Sequence, residues 1–290
     1  MKPAAFEYLR PGSVDEALEL LERHGADAKP LAGGQSLVPA MNFRLAQPAV
    51  LVDLNGVADL AGIAAADGGL RIGAMTRQRA VERSAFAAER APLLAETLPF
   101  IAHPQIRNRG TVGGSLAHAD PAAELPAVMV AAQARLLLRR RGGERRVEAE
   151  RFFTGLFATA LEPGELLTAV ELPAMAPRTG WAFAEVSRRH GDYALVGVAC
   201  LVTLDGRGRC ASARVALLSV GEGPVLAPSV AAALAGAAPT PEAVRAAAEE
   251  VDRDVDPPSD IHASAAYRRR LARVLTRRAL TRAFDRAASR

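Results

Sequence analysis

The pattern of apolar residues predicts a small β-α-β unit at the start of the chain. A capping box at residues 13–16 precedes apolar positions at helical spacing, so a helix is expected from Val14 onward. Residues 29–32 are typical of a short strand, and the β-branched apolar run at residues 50–54 predicts a buried strand. This unit is expected to end near Asn55.

A larger region of strands and helices is predicted to follow. A strand is expected at residues 70–73, and a helix is expected at residues 91–102. Another helix is expected to begin at Pro121, because proline is favoured in the first turn of a helix. A glycine pair between residues 135–140 and 145–148 predicts a hairpin.

Prolines and a glycine within residues 173–180 mark a linker between two predicted domains. The first domain is predicted to span residues 1–176, with subdomains at 1–55 and 56–176, and the second to span residues 177–290. The second domain is expected to hold an antiparallel sheet followed by helices. Its predicted strands lie near residues 181–187, 195–204 and 211–220, and its predicted helices near residues 228–235, 241–251 and 264–288.

Two glycine-paired loops carry most of the chemical information. They are Ala32-Gly33-Gly34-Gln35-Ser36-Leu37 and Thr111-Val112-Gly113-Gly114-Ser115. A Gly-Gly step allows positive φ and a close approach of the backbone to a ligand, and exposed N–H groups in such turns suit phosphate oxygens. The pair could hold the two phosphates of a dinucleotide, although neither loop has the Rossmann or P-loop spacing. For each loop alone, an ordinary tight turn is the alternative.

Composition and cysteine content exclude several classes of protein. Half of the residues are apolar and 23% are charged, which is typical of a globular protein. Cys200 and Cys210 are the only cysteines, whereas an iron–sulfur cluster needs about four thiolates, so both are interpreted as buried structural thiols. No residue spacing suggests zinc. No apolar run is long enough for a membrane span and no secretory signal is recognised, so a cytoplasmic protein is expected.

The last predicted helix is rich in arginine. A helix that binds nucleic acid or a membrane is one interpretation, and a solvated amphipathic face is the other. The second is favoured because no aromatic residues interleave with the arginines, and docking to an acidic partner chain is one form of it. The arginines are Arg268, Arg269, Arg270, Arg273, Arg277, Arg278, Arg282, Arg286 and Arg290.

Taken together, these motifs resemble the FAD-binding medium subunit of the molybdenum hydroxylases, the family of carbon monoxide and xanthine dehydrogenases. The resemblance covers essentially the whole chain and is carried by residues 6–18, 32–37, 107–121 and 188–196. It implies an α+β architecture. An FAD-binding domain of the vanillyl-alcohol-oxidase type, built of two α/β subdomains, would precede a three-stranded antiparallel sheet with a helical bundle.

The resemblance also implies which residues hold FAD, while no side chain is expected to act as a catalyst or to bind a metal. The two glycine loops would surround the pyrophosphate. Tyr193 would stack on the isoalloxazine, and Asp192 would orient Tyr193. Packing at a domain interface is the alternative for Tyr193. His118 and Asp120 are interpreted as polar lining. The expected cofactor-binding set is Ala32, Gly33, Gly34, Gln35, Ser36, Leu37, Ile101, Ala102, Thr111, Gly113, Gly114, Ser115, His118, Asp120, Glu124, Leu167, Asp192 and Tyr193.

The function implied by the resemblance is electron transfer through FAD. Partner subunits would carry a molybdenum–pterin cofactor and two [2Fe–2S] clusters in a dimer of heterotrimers, with no nucleic acid and no membrane span. Electrons would leave FAD for an external acceptor. A self-sufficient flavin oxidase or reductase is one alternative, and a binding or scaffold protein that uses the basic last helix is another. The substrate and the acceptor stay open, because no motif in this chain selects them.

Overall fold

The computed structural model describes residues 2–290, and its first part is a parallel sheet of three strands in the order β1-β3-β2. Its elements are β1 (Glu7–Leu9), α1 (Val14–His24), β2 (Ala28–Leu31), α2 (Leu37–Asn42) and β3 (Val50–Asp53). Ser13 caps α1 by accepting from the N–H of Glu16 at 3.1 Å, and the apolar stripe of α1 shares a core with β3. The predicted β-α-β unit is confirmed.

The second part holds a five-stranded antiparallel sheet with helices packed against it. Its strands are β4 (Ile63–Ala66), β5 (Gly69–Gly73), β6 (Arg135–Arg140), β7 (Gly143–Glu148), a small pair β8 (Phe153–Gly155) and β9 (Ala158–Thr159), and β10 (Leu166–Leu172). Its helices are α3 (Gln78–Glu82), α4 (Ala85–Arg90), α5 (Pro92–Thr97), α6 (Pro104–Arg109), α7 (Val112–His118), α8 (Glu124–Ala131) and α9 (Ala149–Phe152). The strand order is β4-β5-β10-β6-β7, so the predicted hairpin β6–β7 lies at one edge.

Two predicted helices of this part differ from the structure. The helix expected at residues 91–102 is shorter: α5 passes into a single 3₁₀ turn that ends at Phe100, and Ala102 has φ 45°. The helix expected from Pro121 begins at Glu124 instead. Asp120 accepts from the N–H of Ala122 at 2.9 Å and closes a turn there, which delays the helix.

The third part is an antiparallel sheet covered on both faces. It consists of β11 (Thr179–Ser187), β12 (Ala194–Leu204), β13 (Cys210–Leu218), β14 (Val225–Leu226), α10 (Pro228–Leu234), α11 (Pro241–Glu249) and α12 (Ala265–Ala288). The order is β11-β12-β13-β14, so the short β14 adds a fourth strand to the three predicted. Cys200 pairs with Val215 and not with Cys210, and both thiols are buried and free, as predicted.

Alternate residues of this last sheet belong to two different cores. Phe183, Ala199 and Leu218 pack with α5 and α8, whereas Val198 and Cys200 pack with α12. A sheet buried on both faces explains why its strands are nearly continuously apolar. Residues 173–178 connect β10 to β11, and the core that contains α8 continues across this connection. The division into two domains stays a prediction.

Candidate functional site

The first glycine loop leaves the carboxyl end of β2, at the edge where the parallel strands end and ligands commonly bind. Gly34 has φ 74°, and the N–H of Val38 donates to its carbonyl at 3.1 Å. Within residues 2–290, no acceptor meets the N–H groups of residues 34–37. Gln35 instead turns its side chain back and donates to Gly33 O at 3.1 Å. The loop therefore presents a run of amide donors that the protein itself does not use.

The second glycine loop differs from the prediction, because Gly113 and Gly114 lie in the first turn of α7 without positive φ and their amides are already bonded. Val112 donates to Thr76 O at 3.0 Å, and Gly113 donates to Ala74 O at 2.8 Å. The hydroxyl of Thr111 caps α7 by accepting from the N–H of Gly114 at 3.0 Å. This loop can therefore offer a ligand the hydroxyls of Thr111 and Ser115 rather than the amides of the glycine pair.

The two loops lie directly against each other. A Cβ on Gly33 would stand 2.5 Å from Arg109 O and 2.8 Å from the Cα of Gly110. A Cβ on Gly114 would stand 3.3 Å from the Cβ of Ala32. Only glycine at position 33 permits this approach, so the structure brings together the two segments that the sequence singles out.

Asn55 and Arg77 hold the loops in register, and sequence reasoning missed both. Asn55 donates to Ala32 O at 3.1 Å and accepts from Arg77 at 2.5 Å. Arg77 also donates to Arg109 O, which lies behind Gly33. The position of Asn55 just after β3, at the same edge of the parallel sheet as the first loop, is the signal that could have identified it.

The segment 101–103 is held by Arg107, whose side chain is 5% exposed. Arg107 donates to Ile101 O at 2.8 Å and to Ala102 O at 3.2 Å. Its Nε and Nη2 also form a two-point contact with Glu82, at 2.9 and 3.0 Å. The predicted apolar contacts Ile101 and Ala102 are thus positioned by a buried ion pair.

The segment 188–193 of the last sheet packs onto this same region. A Cβ on Gly191 would stand 2.5 Å from the ring of His103 and 3.1 Å from Ala102 O. Gly191 has φ 84°, so the position requires glycine for its conformation as well as for space. The structure therefore brings Asp192 and Tyr193 to the neighbourhood of Ala102.

Tyr193 is 69% exposed and borders a cavity of about 770 Å³. Partial desolvation, with the carboxylates of Asp120 and Glu124 nearby, raises the pKa of its hydroxyl. Asp192 accepts from Arg189 at 3.0 Å rather than from Tyr193. Burial lowers the pKa of His118, so its imidazole is uncharged at neutral pH, and its ring lies 5.1 Å from that of Phe157.

Leu167 and Glu124 are the most enclosed of the predicted site residues outside the glycine loops. Leu167 is 4% exposed on β10, and Glu124 is 7% exposed at the start of α8. Burial, followed by the charge of Asp120, raises the pKa of Glu124 to about 7. Desolvation and the charge of Glu124 raise the pKa of Glu185 to about 8. Near neutral pH Glu185 is therefore mostly protonated, whereas Glu124 titrates there.

These two carboxyls predict a contribution to the stability of the FAD-free chain that is lost as pH rises. A carboxyl whose pKa is higher in the folded chain binds more protons there, so its contribution is greatest below about pH 4.5 and falls up to about pH 8. For the buried Glu124 the cost is on the order of 3 kcal/mol. We expect Glu124→Gln to raise Tm above pH 8 and to change it little near pH 5. Thermal unfolding at both pH values checks this.

The exposed Glu144, which forms no ion pair among the described residues, is the matched control. Glu144→Gln should shift Tm equally at both pH values. If Glu124→Gln shows the same difference from wild type at pH 5 and above pH 8, Glu124 does not titrate as described.

Known proteins resemble this chain over nearly its full length. The model described as the FAD binding domain in molybdopterin dehydrogenase matches residues 4–175, and the CO dehydrogenase flavoprotein C-terminal domain matches residues 181–283. The 6-hydroxypseudooxynicotine dehydrogenase complex subunit alpha of Paenarthrobacter nicotinovorans is 43% identical, with 99% of this chain and 97% of that protein covered.

Carbon monoxide dehydrogenases show the same similarity. The medium chain from Afipia carboxidovorans is 41% identical, with 99% of each chain covered. A chain of the carbon monoxide dehydrogenase structure from Hydrogenophaga pseudoflava superposes with a TM-score of 0.96 at 42% identity, again with 99% of each chain covered. That enzyme is described as lacking the Mo-pyranopterin moiety of its molybdenum cofactor.

Proposed function

Because this chain belongs to the family of FAD-binding medium subunits of molybdenum hydroxylases, we propose that it passes electrons from a partner subunit through FAD to an external acceptor. The chain is an FAD-carrying subunit of an oxidoreductase complex, and its α+β fold is that of the carbon monoxide dehydrogenase medium subunit. The observation that carries the mechanism is the run of unused amide donors at residues 34–37, beside a loop that Gly33 allows to approach.

The donor set of the first loop fits the diphosphate of FAD. Amides that have no protein acceptor can donate to phosphate oxygens, and they neutralise charge without a lysine or an arginine. We assign the pyrophosphate to residues 32–37, with the hydroxyls of Thr111 and Ser115 on the other side. Gly113 and Gly114 serve this site by letting α7 pack closely, since a Cβ on Gly113 would stand 2.4 Å from that of Ala74.

The flavin ring is assigned to the junction between the second and third parts of the chain. Ile101, Ala102 and Leu167 supply apolar contact, and Tyr193 supplies an exposed aromatic face. Asp192 positions the segment that carries Tyr193. The buried Glu124, with His118 and Asp120, lines the site with polar groups.

Bound FAD supplies a group that exchanges one or two electrons, so it couples one-electron donors to a two-electron acceptor. The protein binds and orients this group, and we assign no side chain a role as acid, base or nucleophile. Residues 2–290 contain no group of three or more histidines, cysteines or carboxylates placed to hold a metal ion. Because relatives of this chain are named as subunits or chains of dehydrogenases, we propose that an iron–sulfur small subunit with two [2Fe–2S] clusters and a molybdenum–pterin large subunit complete a heterotrimer, which forms a dimer.

Domain organisation and location follow the same proposal. We place an FAD-binding domain at residues 1–176, with subdomains 1–55 and 56–176, and a second domain at residues 177–290. The separate matches at residues 4–175 and 181–283 support this division.

No helix within residues 2–290 has the length and apolar character of a membrane span. The cytoplasmic location expected from the sequence stays a prediction.

The test is to purify the chain and identify what it releases on denaturation. We expect about one FAD per chain, and no iron or molybdenum. Co-expression with candidate iron–sulfur and molybdenum subunits should then yield a complex in which substrate reduces the flavin. A chain that neither contains FAD nor binds added FAD would contradict the proposal. Substrate oxidation by the chain alone would favour a self-sufficient flavin enzyme instead.

A further inference from the structure

A groove of about 700 Å³ lies between α11, α12 and β11, at a distance from the glycine loops. Phe100 and Phe183 line it and contact each other edge to face, with ring centroids 5.1 Å apart. Phe100 directly precedes Ile101, which is assigned to the flavin ring above. The remaining lining residues are Ala184, Glu185, Pro241, Arg245, Leu275, Arg277, Arg278, Thr281 and Arg282.

Most arginines of α12 are neutralised inside the chain. The pairs are Arg268 with Asp260, Arg269 with Asp256, Arg273 with Glu249 and Asp252, and Arg282 and Arg286 with the single carboxylate of Glu96. This internal pairing argues against a helix that tracks a nucleic-acid backbone with all its arginines.

Three of the four arginines that line the groove have no such partner, the fourth being Arg282, which pairs with Glu96. Arg245, Arg277 and Arg278 are exposed and form no ion pair with any residue in 2–290. They extend from two helices, α11 and α12, into one groove. Like charges gathered in this way create a local positive potential that an anionic ligand would relieve.

The one acidic residue that lines the groove does not cancel this charge. Glu185 has an oxygen, Oε2, that is buried without a hydrogen-bond partner. With a pKa of about 8, the carboxyl is protonated at neutral pH. The groove therefore combines unpaired guanidinium groups, a neutral acid and an aromatic floor.

We propose that this groove binds an acidic segment of the electron-donating partner subunit. Arginine binds carboxylates through two parallel hydrogen bonds, and the partly exposed Phe100, which packs on the buried Phe183, can receive an apolar side chain of the same segment. Arginines beside aromatic residues are typical of the positions that dominate protein interfaces. Phe100 directly precedes Ile101, so a segment docked here would contact the stretch of chain that is assigned to the flavin ring. The inference rests on the proposed function.

The test compares two triple variants that change net charge equally. Arg245→Glu/Arg277→Glu/Arg278→Glu reverses the groove. Arg83→Glu/Arg151→Glu/Arg207→Glu is the control, since these arginines are exposed and unpaired among the described residues. Affinity of each FAD-loaded chain for the isolated iron–sulfur subunit is measured. We expect the groove variant to bind about 100-fold more weakly, with less than about threefold loss in the control.

The dependence of this affinity on ionic strength is a second test of the same contact. Raising ionic strength from about 0.1 M to about 1 M shortens the Debye length from about 10 Å to about 3 Å. Wild-type binding should weaken over this range, and binding by the groove variant should change less. FAD content, measured in all three proteins, should be equal.

Several outcomes would overturn the inference. The first is an equal loss of affinity for the iron–sulfur subunit in both variants, and the second is unchanged affinity in the groove variant. The third is a groove variant that fails to bind only the molybdenum subunit, and the fourth is salt-sensitive binding of nucleic acid at the groove. If the wild-type chain holds FAD but the groove variant loses no more affinity for the iron–sulfur subunit than the control does, only this inference is refuted. A wild-type chain that holds no FAD and binds neither subunit refutes the proposed function as well.

Discussion

Gly33→Ala is expected to abolish retention of FAD by the purified chain. The added Cβ would stand 2.5 Å from Arg109 O and 2.8 Å from the Cα of Gly110, and both are backbone atoms that no side-chain rotation can remove. The first loop must therefore move away from the second, and its amides move with it. Overpacking of this kind costs about 1–3 kcal/mol in packing alone. We expect FAD affinity to fall by at least about 100-fold, which corresponds to about 2.8 kcal/mol.

Gly206→Ala is the matched control, because no atom lies within 4 Å of its added Cβ. The measurement is the FAD content of each purified variant, followed by titration of the FAD-free chain with FAD. Far-ultraviolet circular dichroism establishes that both variants are folded. Gly113 is unsuitable for this purpose, because its Cβ would collide with Ala74 and disturb the packing of α7 itself. Wild-type affinity in folded Gly33→Ala would show that the contact between the loops does not matter for FAD.

The second large effect is expected for Arg107→Met. The buried guanidinium of Arg107 joins Glu82 to the carbonyls of Ile101 and Ala102. Methionine therefore leaves Glu82 with only the more exposed Arg79, at 2.9 Å, and leaves two carbonyls without a donor. Removing one partner of a buried ion pair lowers the free energy of unfolding by about 3–5 kcal/mol. We expect a loss of this size in the free energy of unfolding, measured by urea denaturation of FAD-free protein, and weaker FAD binding by the variant.

Arg135→Met is the control, since Arg135 is 59% exposed and its pair with Glu148 lies on the surface. Such pairs contribute about 0–1 kcal/mol. Replacing both Arg107 and Glu82 by methionine should be less damaging than Arg107→Met alone, because the enclosed carboxylate is removed and the Arg79 that loses its partner is 29% exposed. A loss below about 1 kcal/mol in Arg107→Met would mean that the ion pair does not hold this segment.

The ion pair between Arg107 and Glu82 also predicts how the stability of the folded chain changes at acid pH. Arg107 lowers the pKa of Glu82, so the pair stabilises the folded chain above the ordinary pKa of 4.5. This contribution is lost as pH falls through the lowered pKa. Wild type and Arg107→Met should therefore approach each other in stability at acid pH, which urea titrations below pH 4.5 would reveal.

Local chemistry was readable without coordinates. The capping box before α1, the apolar run of β3 and the turn at Gly34 each depend on neighbours within a few residues, and each was predicted correctly. The turn predicted at Gly113 and Gly114 was wrong, because both residues lie in the first turn of α7. Where a local feature interfered, the prediction was wrong. The turn closed by Asp120 delayed α8, and positive φ at Ala102 follows the early end of α5.

The sequence by itself determined the family and the cofactor, because the motifs that carry the resemblance are properties of adjacent residues. Only the tertiary structure decided that Gly33 abuts Arg109, that Gly191 packs on His103 and that Arg107 holds Ile101. It also decided that the amides of Val112 and Gly113 donate to the carbonyls of Thr76 and Ala74. These contacts join residues far apart in the chain. Which buried donor meets which acceptor depends on how whole elements pack, and nothing local encodes that packing.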